Sequence, residues 1–232
     1  MKKIGAIFIM TALLGLSAVY YLRTYSEVAA VFSRKAEEKP LKVVIDPGHG
    51  GNDPGGIGES GVLEKDVNLS VALLLRDNLE QQGIEVVMTR ETDCGLYSET
   101  SKNKKKEDLA KRIEIIEEAD ADFVLCIHQN IFTDPKYSGA QVFYYEASEE
   151  GAKLADSIQN QLVIGVDPEN TRVSKSNMNY YMLKQSPIPI VIVECGFLSN
   201  AEEELRLGTL EYQRALAWNI YLGTMHYVNE NM

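Results

Sequence analysis

Cysteine is scarce in this chain, which has three cysteines among 232 residues and no CxxC pair. So little cysteine excludes a disulfide-stapled scaffold, and the odd number leaves at least one thiol unpaired. The missing CxxC spacing also excludes a zinc ribbon and a thioredoxin-like redox site. Histidine is just as scarce, with three residues in the whole chain.

Positive charge is also in short supply, with 23 basic residues against 34 acidic ones and a net charge of −11. An acidic surface repels phosphate backbones, which argues against nucleic acid as a partner. The charge is uneven, because residues 1–40 carry six basic and three acidic groups and the remainder therefore carries a net charge of −14. A basic front end thus precedes an acidic body, in a chain whose composition is that of an ordinary globular protein.

The N-terminus contains one long apolar run. Ile4–Leu22 has nineteen residues without a charge and follows Lys2 and Lys3. This length can cross a hydrocarbon core of about 30 Å, and the lysines favour a cytoplasmic N-terminus. We predict a membrane anchor over residues 1–22, with a cleaved signal segment and a buried core helix as the alternatives. Residues 23–40 are predicted to be a polar linker, which leaves the body outside the cytoplasmic membrane.

Residues 41–232 are predicted to form one α/β domain, because short β-branched strands alternate with amphipathic helices. Such alternation is typical of a mostly parallel central sheet with helices on both faces. About six strands are expected, over Leu41–Ile45, Glu85–Thr89, Phe123–Ile127, Gln141–Tyr145, Tyr180–Leu183 and Ile190–Val193. Helices are expected over Lys65–Gln82, Glu107–Ala119, Glu150–Val163 and Leu210–Tyr227, with a short capped helix after Asn200.

Residues capable of chemistry follow three of the predicted strands. His49 lies in the segment DPGHGG after the first strand, His128 lies in CIHQN after the third, and Glu194 lies in VECG after the last. Open α/β sheets bind ligands beyond the carboxyl ends of their strands. Two of the three histidines and one glutamate are therefore expected at the same edge of the sheet.

These residues indicate a metal site. A catalytic zinc takes three protein ligands from histidine and carboxylate and keeps one position for water. Glu64, which closes the glycine-rich loop after His49, is the best third ligand, although Asp53 and Glu59 lie in the same loop. A glycine-rich phosphate cradle is the alternative, but the loop has no GxGxxG and no Walker lysine.

Glu194 is predicted to be the group that moves protons. A carboxyl at the end of an apolar strand is partly desolvated, which raises its pKa toward the range of a general base. A fourth metal ligand or a structural hydrogen-bond acceptor is the alternative role. Cys126 and Cys195 lie close by in sequence and are expected to fill the core, with a cysteine nucleophile and a Cys126–Cys195 disulfide as alternatives.

The motifs together give a specific resemblance. The chain resembles the zinc-dependent N-acetylmuramoyl-L-alanine amidases of the Amidase_3 family over about residues 41–228, in the segments Val44–Gly51, Asp53–Gly55, Glu64–Asp66, Thr89–Arg90, Ile127–Asn130 and Val193–Asn200. The resemblance implies one zinc ion per chain on His49, Glu64 and His128, with Glu194 as the catalytic carboxylate. It also implies that the domain cleaves the amide between the lactyl group of N-acetylmuramic acid and L-alanine in peptidoglycan.

Within that family the chain is most similar to the CwlD-type, germination-specific amidases of spore formers, because it is short and has a membrane-addressing N-terminus. This similarity implies a role in spore cortex, where muramic-δ-lactam forms, and a location between the forespore membranes. A vegetative wall amidase, a non-catalytic peptidoglycan-binding protein and a zinc exopeptidase are the alternatives. Cys126 and the segment Ser98–Lys106, whose lysine run is predicted to be a solvated loop, depart from the family pattern. Since no self-inhibitory helix is evident, a separate regulatory or activating protein is expected.

Overall fold

A computed structural model describes residues 15–17, 19–26 and 39–232 of the chain. The chain divides into two units, residues 1–40 and 41–232. Most of the predicted anchor Ile4–Leu22 lies outside the described residues, and its described part belongs to a helix. Among the residues that the structure describes, no helix has the length and apolar character needed to cross a membrane.

The second unit is built on a six-stranded sheet in the order β2-β1-β3-β6-β4-β5. Neighbouring strands run parallel except where β4 pairs with β6. The bounds of the strands are β1 Lys42–Pro47, β2 Glu85–Met88, β3 Phe123–Asn130, β4 Gln141–Tyr144, β5 Lys175–Ser176 and β6 Ile190–Phe197. The predicted α/β fold with a mostly parallel sheet is therefore confirmed, and β1, β3 and β6 lie side by side at its centre.

Helices cover both faces of this sheet, because the side chains of each buried strand alternate between two hydrophobic cores. Val43 and Ile45 of β1 face one core, whereas Val44 faces the other. The helices are α1 Glu64–Glu80, α2 Lys104–Glu118, α3 Glu149–Gly165, α4 Tyr181–Gln185, α5 Ala201–Leu207 and α6 Leu210–Asn231. The larger core contains α1, α3 and α6, and the smaller one contains α2 and α4.

One predicted strand is wrong. Tyr180–Leu183 was expected in the sheet, but Tyr181–Gln185 is the short helix α4, and the edge strand β5 is only two residues long. An Asn177 side chain accepts hydrogen bonds from the backbone N–H groups of Asn179 and Tyr180 and so starts a turn. A short apolar run does not distinguish strand from helix, and here this local turn decides in favour of the helix.

The lysine run also differs from its prediction as a loop. Lys104–Lys106 forms the first turn of α2, after Asn103 caps the helix by accepting a hydrogen bond from the Lys106 N–H. An N-cap asparagine satisfies one of the free N–H groups at a helix start, which explains the earlier beginning. Three lysines thus occupy the first turn of a helix that passes beside the carboxyl ends of the central strands.

The backbones of helices α3 and α6 approach each other closely at Gly223. The Gly223 carbonyl accepts a 2.8 Å hydrogen bond from the Ser157 hydroxyl, and a Cβ atom at position 223 would lie 2.5 Å from the Cα of Ile158. Because the obstructing atoms belong to the backbone of α3, no side-chain rotation can relieve this contact. Glycine is therefore required where the two helices cross.

We expect Gly223→Ala to destabilise the domain by about 1–3 kcal/mol through overpacking. Alanine favours a helix by about 1 kcal/mol over glycine. A lower free energy of unfolding in the variant therefore indicates overpacking, whereas a higher one indicates that helix propensity dominates. Urea unfolding monitored by circular dichroism measures the effect. Gly208→Ala is the matched control, because the nearest atoms there lie 3.5 Å from the added Cβ. Equal stability of the two variants would contradict the assigned contact.

Candidate metal centre

The loop that follows β1 carries His49 in a left-handed backbone conformation, with φ +62°. Two arginines hold its carbonyl groups. Arg112 donates to the carbonyls of Pro47 (2.8 Å) and His49 (2.7 Å), and Arg90 donates to those of Pro47 and Gly48 (both 3.0 Å). A non-glycine residue with positive φ is costly and persists only where its surroundings hold it. The two guanidinium groups supply that restraint.

Arg112 itself is almost completely buried, with 2% of its surface exposed. Its side chain pairs with Asp46 at 2.5 Å and with Asp108 at 2.6 Å, so the buried charge is neutralised. Burial alone would raise the pKa of Asp46, but the Arg112 guanidinium, the Thr89 hydroxyl and His128 together outweigh it and lower that pKa. The carboxylate of Asp46 is also held by the Thr89 hydroxyl at 2.6 Å. The loop that carries His49 therefore stands on a fixed ion pair.

Glu64, the first residue of α1, brings the predicted ligand set together. Its Oε1 lies 2.9 Å from Nδ1 of His128 and 3.3 Å from Nε2 of His49. The backbone N–H groups of Gln129 (3.1 Å) and Gly56 (2.7 Å) donate to its two oxygens. One potential ligand atom from each of His49, Glu64 and His128 lies within 4.8 Å of the others. Residues from three separate elements thus converge on one point.

The other two loop carboxylates occupy different places. Asp53 Oδ2 lies 2.8 Å from Nδ1 of His49, which leaves the Nε2 of that ring facing Glu64. A carboxylate in this position fixes the orientation and tautomer of a histidine. Glu59 is exposed in the turn before α1 and is not part of the cluster. Of the three candidates in the loop, Glu64 alone contacts both histidines.

The cluster strongly favours positive charge at its centre. Burial would raise the pKa of Glu64, but the hydrogen bonds and charges of the two histidines lower that pKa far below its usual range. Burial would likewise lower the pKa of His49, yet Glu64 and Asp53 raise it to about 9. A site that attracts protons this strongly also suits a divalent cation, which competes with protons for the same lone pairs.

Glu194 lies in β6, directly opposite His128 of β3 in the strand register. Its side chain is 8% exposed, and its Oε2 has no hydrogen-bond partner among the described residues. Burial raises the pKa of Glu194 to about 7, the direction expected from the sequence. Glu194 lines a cavity of about 430 Å³ together with His49, Glu64 and His128. The structure therefore places all four predicted site residues around one cavity.

The cysteines near these residues are core residues. Cys126 packs in the smaller core and Cys195 in the larger one, on opposite faces of the sheet, and both thiols are unpaired. The alternative of a Cys126–Cys195 disulfide is therefore wrong. Burial raises the pKa of both thiols well above their usual range, which suppresses the nucleophilic thiolate.

A second cavity, of about 300 Å³, adjoins the first. Five residues line both cavities and so form the ridge between them: His49, Lys105, Leu109, His128 and Met182. Sequence reasoning missed Lys105, as it missed Arg112. Arg112 could have been noticed from the sequence, because it is a charged residue on the side of α2 that Ile113 and Ile116 mark as buried.

A His–Glu–His cluster beside a buried carboxyl, at the carboxyl edge of a parallel sheet, is the arrangement expected of a metal-dependent hydrolase. Residues 43–225 match the family model of N-acetylmuramoyl-L-alanine amidase, Amidase_3, and the chain belongs to this family. The predicted family and activity are thus confirmed, and the chain is an enzyme that acts on peptidoglycan.

Individual relatives support the same assignment. The germination-specific N-acetylmuramoyl-L-alanine amidase of Bacillus subtilis is 37% identical over 231 residues, which cover 95% of this chain and 94% of that one. Among solved structures, the CwlD amidase from Clostridioides difficile in complex with the GerS lipoprotein matches with a TM-score of 0.79, at 40% identity over 82% of this chain and 98% of that chain. AmiC2 of Nostoc punctiforme matches with a TM-score of 0.72 at 34% identity over 82% and 98% of the two chains. The predicted similarity to germination-specific amidases is confirmed.

In chelator-treated protein, Glu194→Gln is expected to raise the free energy of unfolding above the wild-type value as the pH increases. The native pKa of Glu194, about 7, lies above its ordinary value of 4.5, so wild-type stability falls as this carboxyl ionises. The difference between the two proteins should be small near pH 4.5 and should reach on the order of 3 kcal/mol above pH 7.

Urea unfolding at a series of pH values measures this difference. The control is Glu117→Gln, which changes an exposed carboxyl of α2 and is expected to show no such trend. A difference between wild type and Glu194→Gln that does not grow with pH would contradict the assigned burial of Glu194.

Proposed function

We propose that His49, Glu64 and His128 hold one zinc ion and that Glu194 transfers the proton in amide hydrolysis. The observation that carries this proposal is the buried oxygen of Glu194, which has no hydrogen-bond partner in the part of the chain that the structure describes and lies in the same cavity as the three candidate ligands. Two imidazoles and one carboxylate suit zinc, and three protein ligands leave one position open for reaction. The strongly proton-attracting environment of the cluster supports occupation by a divalent cation.

Hydrogen bonds from surrounding residues hold the candidate ligands in position without a bound metal. Asp53 binds Nδ1 of His49 and leaves Nε2 to face the candidate metal position. Arg90 and Arg112 hold the backbone on which His49 stands. Asn68 donates to the Gly48 carbonyl at 3.1 Å, which ties the loop to α1. Such supporting contacts keep ligands in place and reduce the reorganisation needed on metal binding.

The reaction needs a group that accepts one proton and then returns it. When bound, zinc polarises the amide carbonyl and makes water more acidic. Glu194 accepts a proton from the water that attacks the lactyl carbonyl, as the new C–O bond forms. It then donates that proton to the L-alanine nitrogen as the C–N bond breaks. Because burial raises the pKa of Glu194 above its ordinary value, this carboxyl is suited to accepting a proton as well as donating it. The products are a lactyl carboxyl group and a stem peptide with a free amine.

Exchanging each glutamate for glutamine is expected to separate the two roles. Glu194→Gln should retain about one zinc per chain while turnover falls by about 10²–10⁴-fold, because glutamine cannot accept the proton. Glu64→Gln should weaken zinc binding itself, because a neutral amide replaces an anionic ligand. His49→Ala should lose zinc and activity together.

Zinc content measured by elemental analysis, alongside release of L-alanine-terminated peptides from purified peptidoglycan, tests these expectations. Glu117→Gln, on the exposed face of α2, is the matched control and should retain both properties. A Glu194→Gln variant that loses zinc would place Glu194 among the ligands, and one that keeps full turnover would remove it from the mechanism. A zinc exopeptidase would leave the muramoyl–alanine bond intact, and a non-catalytic wall-binding protein would release no peptide.

We propose further that the substrate is spore cortex peptidoglycan and that cleavage leads to muramic-δ-lactam. The similarity to a germination-specific amidase over nearly the full length of both chains supports this choice over a vegetative wall amidase. We also propose residues 1–22 as an anchor or signal, residues 23–40 as a linker and residues 41–232 as the catalytic domain. This arrangement delivers the domain outside the cytoplasmic membrane, and in a spore former to the space between the forespore membranes.

A protein partner fits the same proposal. The similar C. difficile amidase was solved in complex with a lipoprotein, GerS. We propose that this chain likewise works with a regulatory or activating protein, in addition to its peptidoglycan substrate. Nucleic acid is not a proposed partner, because the body of the chain is strongly acidic.

In a spore-forming host, deletion of the gene is expected to remove muramic-δ-lactam from the cortex. Muropeptide analysis by mass spectrometry measures the lactam. The full chain should restore it, whereas residues 41–232 expressed alone should not, because they lack the segment proposed to direct export. Normal lactam content in the deletion strain would favour the vegetative alternative, and rescue by the shortened chain would contradict the role given to residues 1–40.

A further inference from the structure

We propose that Lys105 determines substrate specificity by binding a carboxylate of the stem peptide near the bond that is cleaved. This inference rests on the amidase function proposed above and deepens it. It assigns a role to the lysine run of α2, which the hydrolytic mechanism does not use. Stem peptides with a free carboxylate should then be cleaved in preference to those in which that group is an amide, and this preference can be measured.

Lys105 lines both cavities and lies, with the two histidines, on the ridge that separates them. Glu194 lines only the larger cavity, and Arg112 lines only the smaller one. When the scissile amide of a substrate lies at the histidines, the glycan on one side of it and the peptide on the other both extend away from this ridge. Lys105 therefore lies beside the peptide whichever cavity receives it.

Lys105 differs in its charge pairing from two other lysines of α2. Lys104 pairs with Glu99 at 2.6 Å and lies over the ring of Tyr97, and Lys111 pairs with Glu114 at 2.5 Å. Lys105 is exposed and has no carboxylate within 4.0 Å in the described part of the chain. Unlike Lys104 and Lys111, it makes no ion pair there; it interacts electrostatically with Asp53, whose carboxylate is already bound to His49. The ammonium group of Lys105 can therefore bind a substrate anion.

The local sequence makes this cation costly, which supports a role in binding. Backbone N–H groups at a helix start favour negative charge, so lysines in the first turn of α2 oppose the helix dipole. An anion bound at Lys105 would relieve this unfavourable interaction. A stretch that is unfavourable for folding and lies at the rim of an active site is best explained by its ligand.

The chemistry of the substrate supplies such an anion at short range. In the stem peptide, L-alanine is followed by a γ-linked glutamate whose α-carboxyl group is either free or amidated. One residue spans about 3.3–3.6 Å of extended chain, so this group lies close to the scissile amide. A lysine beside the histidines can therefore distinguish the charged form from the neutral one. The same contact would be absent for an amidated stem.

The test uses two sets of short glycan strands that differ only in this group, free carboxylate in one and carboxamide in the other. Zinc-loaded full chain is expected to cleave the carboxylate form with a kcat/KM about fivefold higher, as for a solvent-accessible charge pair. The difference should lie mainly in KM and should shrink as salt is added. Lys105→Met should lose the preference while keeping kcat, and Lys105→Arg should retain it.

Lys106→Met is the matched control, since Lys106 is an exposed neighbour that lines neither cavity, and it should retain the preference. An undiminished preference in Lys105→Met, or no preference in the wild type, overturns the role of Lys105 and leaves the amidase mechanism standing. If the wild type cleaves neither substrate, the proposed hydrolysis itself is contradicted, and the role of Lys105 with it.

Discussion

The site depends above all on the carboxylate of Glu64. Its two oxygens contact the loop after β1 through His49, the end of β3 through His128 and Gln129, and the glycine-rich loop through Gly56. Because Glu64 is buried, with only 4% of the residue exposed, these contacts replace the water that its carboxylate lost on folding. One buried anion thus sets the distance between two histidines that are 79 residues apart in sequence, and it creates the place where a cation is favoured.

Other parts of the site contain features that reduce the stability of the folded protein and that the surrounding fold maintains. His49 has a left-handed backbone, and Arg112 and Asp46 form a buried ion pair. Glu194 has one buried oxygen without a hydrogen-bond partner among residues 15–17, 19–26 and 39–232. Each of these costs stability when viewed alone. They occur together because the sheet and α2 fix their neighbours, and each has a use in the proposed reaction: a ligand in position, a rigid loop and a carboxyl that exchanges protons near neutral pH.

Sequence reasoning succeeded where the residue pattern reflects burial on both faces of a strand. The apolar runs of β1, β3 and β6 predicted a parallel centre, and the residues that follow them predicted the edge where His49, His128 and Glu194 meet. It failed for α4, because a four-residue apolar run is compatible with either element until the Asn177 turn is considered. Arg112 and Lys105 were missed because their roles depend on which face of α2 meets the sheet, a tertiary fact that no local spacing contains.

We propose that Glu64, His49 and His128 form one metal site, with Glu194 beside it and outside the coordination. The most direct measurement is anomalous diffraction at the zinc edge from crystals of the zinc-loaded protein. We expect one strong peak per chain, about 2.0–2.2 Å from Nε2 of His49, Nδ1 of His128 and a carboxylate oxygen of Glu64. A peak bound to Glu194, or one located away from either histidine, would contradict it.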